Sequence, residues 1–374
     1  MSSCRNDLVI TGDGQFAPEG DGAARAIVNI ITGTWRAQAL HAAVALRIPD
    51  HVAAGHTCSA ELAAQTGATE DGVERLMRLL ISMSVFGCDH RGRYRPTAIS
   101  DLLQARAPGS LSDMVQIYGE EFHQAWGSFV HAIRTGRSGF ENAFGSELGK
   151  YLADEPATSA KFLRAMNAGS PFFAGVPAVF DFRQCATIVD VAGGSGALLA
   201  TVMRASPATH GVLFDLPHAE PIARQYLGDA LPPDRFDVLT GDMFEAVPPG
   251  ADAYLLSRVL QDWDDRTCIT LLSNCRKAMS NSARLLILER VIPDDDSLNA
   301  ARQLPLLWDL HLLTMARGRQ RTLDGYRSVL TGAGMHLEAV HSLALETNLL
   351  VAAREERADV RQYRAVRMEE LDEG

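Results

Sequence analysis

The spacing of apolar and polar positions divides the chain into two stretches. Up to about residue 175 apolar residues recur at helical spacing; from residue 186 they come as short runs between helical segments. Residues 23–46 read as one Ala-rich helix, with Ile27, Ile30, Ile31, Trp35, Ala39, Leu40 and Ala43 covering a broad surface. A helix apolar over so much of its circumference has to be covered on several sides, which implies a second subunit as well as its own domain. Residues 59–64 read as a short helix with Ser59 near its N-cap, ended by Gly67. Thr69 caps a second helix, with Val73, Leu76, Met77, Leu80 and Met83 at helical spacing. Arg91-Gly92-Arg93-Tyr94-Arg95-Pro96 then reads as a turn and a short strand. Helix, turn, helix and wing make a winged-helix outline, used either to read DNA or as a dimerisation scaffold.

Residues 111–175 are helical and rich in aromatics, a segment expected to line a substrate pocket, with Phe122, Trp126, Phe162 and Met166 as candidate walls. Glu121 and His123 are possible polar anchors there. Strands follow at 187–191, 211–215, 236–239, 253–257, 285–289 and 349–353, with helices at 197–203, 219–226, 266–278 and 304–315. Strands alternating with helices imply a parallel sheet covered on both faces. The expected organisation is a flexible arm (1–20), a mainly α winged-helix domain (21–110), the helical linker (111–175), a doubly wound, Rossmann-like α/β domain (176–354) and a charged tail (355–374).

Length and charge sharpen this outline. The chain has 374 residues, about twice the ~100–200 of a single domain. Lys+Arg is 35 and Asp+Glu 46, a formal net charge of −11. Such a chain repels phosphate backbones, and Glu70-Asp71-Gly72-Val73-Glu74 places three acids where base-reading side chains would sit. The winged helix is therefore expected to be a scaffold, and nucleic acid is not the expected partner. Six cysteines are spread without a Cys-x-x-Cys, so neither a disulfide framework nor a metal site is expected. No apolar run approaches the ~18 residues of a membrane span, and the polar N-terminal stretch lacks a signal peptide's apolar core. A cytoplasmic protein without a membrane partner is the simplest expectation.

Candidate chemistry centres on Asp190-Val191-Ala192-Gly193-Gly194-Ser195-Gly196-Ala197-Leu198, between the first strand of the sheet and its helix. An open α/β sheet binds its ligand there, beyond the carboxyl ends of the strands. The dinucleotide fingerprint fails, because Leu199 takes the place of its third glycine, and a phosphate loop lacks its Gly-Lys-Ser/Thr. A nucleoside cofactor without a pyrophosphate fits better. Gly193, Gly194 and Gly196 let a ligand approach the backbone. Asp215 ends the second strand, where a carboxylate accepts from two ribose hydroxyls. Asp242 and Met243 follow the third strand and suit adenine, and Ser257-Arg258 ends the fourth.

These motifs, with Phe214-Asp215-Leu216-Pro217, Gly241-Asp242-Met243-Phe244, Ser257-Arg258-Val259-Leu260-Gln261-Asp262-Trp263-Asp264-Asp265 and Gly318-Arg319-Gln320-Arg321-Thr322, resemble the class I S-adenosylmethionine-dependent small-molecule O-methyltransferases of the bacterial natural-product and plant caffeate types. The likeness spans about residues 20–354. It implies a homodimer, S-adenosylmethionine in the C-terminal domain, Leu216 among the cofactor residues, and methyl transfer to a small aromatic secondary metabolite. The family's general-base His is replaced by Gln261, and a carboxamide has no useful basicity near pH 7. Of the two acids that orient the family's His, one matches Glu289; the other is expected at the position of Leu323, which is apolar. The family favours oxygen as the acceptor, while the missing base brings carbon close behind. Another group could also act as base, His311 being the candidate, with Asp262 and Trp308 as further substrate contacts. Two other functions fit the same outline: a relative that uses the cofactor for cyclisation, pericyclic or hydroxylation chemistry, and a ligand-sensing winged-helix regulator.

Overall fold

The structure, a computed structural model, describes residues 21–168, 171–293 and 303–355. The expected arm, and the tail beyond residue 355, lie outside the described residues. Two compact units emerge, one of residues 21–135 and 139–168, the other of 136–138, 171–293 and 303–355.

The second unit is built on a sheet whose strands are β1 (Thr187–Val191), β2 (His210–Asp215), β3 (Phe236–Thr240), β4 (Ala253–Ser257), β5 (Arg284–Ile292), β6 (Arg321–Thr322), β7 (Met335–Ser342) and β8 (Thr347–Arg354). The order is β3-β2-β1-β4-β5-β8-β7, with β6 paired to β5. The first five strands run parallel, and β8 is antiparallel to both β5 and β7. Both faces are covered, so the central strands are mostly apolar, broken by buried Asp190 in β1 and Glu289 and Arg290 in β5. Tyr254, Leu256, Leu285 and Ile287 face one core, with Cys268, Leu271 and Leu272 of helix α3 (Asp265–Ala278). Leu255, Leu286 and Leu288 face the other, with Leu199, Val202 and Met203 of α1 (Ala197–Ala205) and Ala223 and Leu227 of α2 (Glu220–Ala230). Two further helices, α4 (Leu304–Ala316) and α5 (Leu323–Gly332), complete this unit. The sequence pattern missed β7. There Met335, Leu337 and Ala339 alternate with His336, Glu338 and Val340, an edge strand half open to solvent.

In the first unit, the single helix expected over 23–46 is interrupted for one residue at Thr32, giving Asp21–Ile31 and Gly33–Ala45. Thr32 N still donates to Val28 O (3.0 Å) and Arg36 N to Thr32 O (3.2 Å), so the axis continues. The broad apolar face lies open on the single chain, with Ile30 77% and Trp35 67% exposed beside Ile27 and Ile31. The winged-helix outline is present as Ser59–Thr66, Glu70–Ser82 and a hairpin of Gly87–Cys88 with Tyr94–Arg95. The N-cap of the first of these helices is Cys58 rather than Ser59. Ser59 Oγ instead meets the Tyr94 hydroxyl at 2.6 Å, tying helix to wing. Thr69 Oγ1 caps the second helix by accepting from Gly72 N (3.2 Å). On that helix Asp71 pairs with Arg75 (2.9 Å) and Glu74 with Arg78, so two of its three acids are matched one turn on. Among the described residues all five cysteines are free thiols, and no helix is long and apolar enough to cross a membrane.

Candidate active site

The strand order reverses between β1 and β4, the point at which an open α/β sheet forms its ligand crevice beyond the carboxyl ends of the strands. On one side of it Asp190, next to last in β1, is fully buried, with Oδ2 lacking a partner among the described residues. Burial, and then the charge of Asp215, push its carboxyl up to about 8. Gly196 begins helix α1 at φ 83°, a conformation that favours glycine. Asp215, at the end of β2, accepts from Gly194 N (2.8 Å) through Oδ2 and from Leu216 N (2.7 Å) through Oδ1. Two backbone amides thus fix the carboxylate, and each oxygen keeps a lone pair for a further donor. Gly193 lies over Asp190. After β3, Asp242 Oδ1 accepts from Phe244 N (2.8 Å), and Asn274 Nδ2 holds Met243 O (3.1 Å) and Phe244 O (2.8 Å). Buried Asn274 is a support that the motif reading had missed. These acceptors, spaced along successive strand ends, suit a nucleoside.

The other side starts at Ser257, whose buried Oγ has no partner among the described residues. Arg258 follows at φ 57°, a left-handed conformation that costs a non-glycine residue roughly 1–2 kcal/mol. Its N donates to Leu288 O (3.0 Å), and its guanidinium lies 5.8 and 5.9 Å from the ring centres of Phe172 and Phe173. Gln261 is next. Its N donates to Glu289 Oε1 (3.2 Å), and its O accepts from Arg319 N (2.7 Å). Gly318 packs on that same oxygen, where a Cβ would come within 2.5 Å. Gln320 Nε2 donates to Gln261 Oε1 at 3.0 Å. Arg321, almost fully buried, donates to Leu260 O (2.8 Å), Trp263 O (2.7 Å) and Asp265 Oδ1 (2.9 Å). The 318–321 segment therefore clasps the 260–265 segment. Leu323, where the resemblance places the missing second acid, opens α5 and packs against the core, and the side chain that reaches position 261 is Gln320.

Glu289 is fully buried, and burial followed by the charge of Asp262 pushes its carboxyl up to about 8. Asp262 keeps accessible surface yet has protein crowded around it; that crowding raises it to about 7, against the pull of Arg258. On α4, burial pushes His311 down to about 4, so its ring is neutral at pH 7. It stands edge-on to Trp308 (5.2 Å), whose face carries the Arg290 guanidinium (4.6 Å). In the helical unit Phe122 is buried, edge-on to Tyr118 (5.0 Å) and Phe162 (6.4 Å), and Trp126 lies half-buried beside Phe129 (4.8 Å). Met166 is half-buried and His123 exposed, while Glu121 is bound to Lys161 (2.9 Å).

A profile described as an O-methyltransferase domain matches residues 126–336, and one described as an O-methyltransferase dimerisation domain matches residues 28–106. The chain is 40% identical over 346 residues to a 3-amino-4-hydroxybenzoate 4-O-methyltransferase of Streptomyces cremeus, covering 90% of this chain and 92% of that protein. It is 37% identical over 332 residues to a phenazine-1-carboxylate N-methyltransferase of Pseudomonas aeruginosa, covering 89% and 98%. The structure also resembles human N-acetylserotonin methyltransferase in complex with S-adenosylmethionine, with a TM-score of 0.83 at 27% identity over 91% of this chain and all of the other.

Proposed function

The chain belongs to the O-methyltransferase family, whose cofactor is S-adenosylmethionine, and from that premise we propose that it methylates a phenolic oxygen of a small aromatic acid in secondary metabolism, working as a cytoplasmic homodimer. The two similar enzymes named above act on aromatic carboxylates. The dimer is supported by the open apolar face of Ile27, Ile30, Ile31 and Trp35, most of which falls within the dimerisation match.

For the cofactor, Asp215 takes the ribose hydroxyls, with Gly194 and Leu216 holding its carboxylate in place. Asp242 receives the adenine amine and Met243 packs on the ring. Ser257 and Arg258 face the methionine end, and Asp190, Gly193 and Gly196 shape the loop. The orphaned oxygens of Asp190 and Ser257 fit a polar ligand at this edge. When bound, the cofactor supplies a methyl group on a positively charged sulfur that departs neutral, so the chain's task is alignment and exclusion of water.

The observation that carries this reading is Gln261, a carboxamide held at the base position beside that edge. It cannot remove a proton but can hold an acceptor atom. We place Asp262, Trp308 and neutral His311 on the substrate side, and Glu289 beneath Gln261. The test incubates the protein with S-adenosylmethionine, 3-amino-4-hydroxybenzoate and related hydroxylated aromatic acids. S-adenosylhomocysteine and a product heavier by one methylene are expected. A protein that binds the cofactor yet forms neither with any member of the panel would overturn the reading in favour of a non-methylating relative.

A further inference from the structure

The contact between Gln261 and Gln320 has a direction. Gln320 is 2% exposed, and its Nε2 donates to Gln261 Oε1 at 3.0 Å, leaving its own Oε1 buried without a partner among the described residues. Turning both amides over would put Gln320's nitrogen, with its two hydrogens, where that orphaned oxygen now lies. An orphaned carbonyl is better tolerated than orphaned N–H groups, so the observed sense is the stable one. Gln261 therefore spends its oxygen on Gln320, and its amide nitrogen, which no described residue accepts, is the group it offers. Neither partner is free to drift. Gln320 N donates to Asp309 Oδ1 (2.7 Å), and Gln261 is held through its N by Glu289 and through its O by Arg319 N.

We infer that Gln320 is a positioning residue that makes Gln261 a one-way hydrogen-bond donor, so that the enzyme selects acceptors whose reacting oxygen arrives already ionised. The inference rests on the phenolic acceptor proposed above. An N–H donor holds a phenolate by a charge-assisted bond and offers a neutral phenol no route for its proton. The phenolate lone pair forms the new oxygen–carbon bond while the carbon–sulfur pair withdraws onto sulfur. A negative oxygen and a positive sulfur become a neutral ether and a neutral thioether, and no proton enters the balance.

The test uses 4-hydroxybenzoates substituted at position 3 with amino, chloro or nitro groups, whose phenols are progressively more acidic. Wild-type protein, Gln320→Met, Gln261→Met and the double variant are compared. Each is first titrated with S-adenosylhomocysteine by calorimetry; equal Kd values show an intact fold and cofactor edge. In the wild type kcat/KM at pH 7 should climb with the ionised fraction of the phenol, by about tenfold or more across the series. Each single variant should lose roughly tenfold, mostly in kcat, and the double variant about the same tenfold rather than a hundredfold, because Gln320 acts through Gln261. Full activity in Gln320→Met, additive losses, or a wild-type rate indifferent to phenol ionisation would each overturn the inference and leave the methyltransferase reading standing. Wild-type protein that binds S-adenosylhomocysteine but methylates no member of the series would remove the phenolic acceptor and this inference together.

Discussion

The two sides of the crevice in the sheet unit are built at different ranges. The proposed cofactor edge is local: Asp215 accepts from the amide of the next residue and from that of Gly194, 21 positions back, and Asp242 caps Phe244 two residues on. The acceptor edge is assembled from afar, with Gln261 meeting Glu289 at a separation of 28 and Gln320 at 59. A ribose is recognised by whatever ends a strand at the right place, so short motifs carry that edge. The acceptor edge depends on two loops clasping each other, and its side chains can be exchanged while β4, β5 and their pairing persist. In one family this arrangement lets the cofactor stay constant while the reacting group changes.

Substitutions on each side separate the two edges. The largest effect is expected for Asp215→Ala, which removes the acceptor of two backbone amides and the one proposed for both ribose hydroxyls. S-adenosylmethionine affinity should fall about 100-fold by calorimetry, and a loss below about threefold would break the assignment. On the acceptor edge, Glu289→Gln should change pH dependence more than binding. The folded chain keeps this carboxyl protonated up to about 8, whereas the unfolded chain releases the proton near 4.5. The folded state thus binds more protons between these values, and wild-type stability falls as pH rises through them. The variant lacks that loss, so its denaturation midpoint should gain on the wild type from pH 5 to pH 8; a constant difference would contradict a buried, neutral Glu289. A smaller effect of opposite sign is expected at His311. Its ring stays neutral down to about 4 when folded but takes a proton near 6.5 when unfolded, so stability falls as pH drops through that window. His311→Phe should remove this acid sensitivity in urea titrations at pH 7 and pH 5, and should slow kcat less than about threefold. A far larger loss in kcat would make His311 the base.

Much of this was legible in the sequence where the signal was short. Five parallel strands, the glycine loop and the acids at their ends stand out because a buried strand is an apolar run and each loop motif is contiguous. The edge strand β7 was lost because its alternation is weak and one side faces solvent. Ser59 lies next to the N-cap as its residue type suggests, but the cap itself is Cys58, and the fold uses Ser59 to reach Tyr94. The resemblance points only to the missing acid at apolar Leu323, whereas the side chain that reaches Gln261 is Gln320, three residues earlier.

By itself the sequence determined the α/β class, the helical dimerisation element, the glycine loop with acids at the strand ends and the absence of an imidazole at position 261. These follow from residue type and local period, which a linear chain displays. Only the tertiary structure decided that Gln320 meets the Gln261 amide, that Arg321 clasps the two loops, and that burial pushes the His311 ring down and the Glu289 and Asp190 carboxyls up. The direction of an amide and the state of a buried proton are set by neighbours brought in from distant parts of the chain.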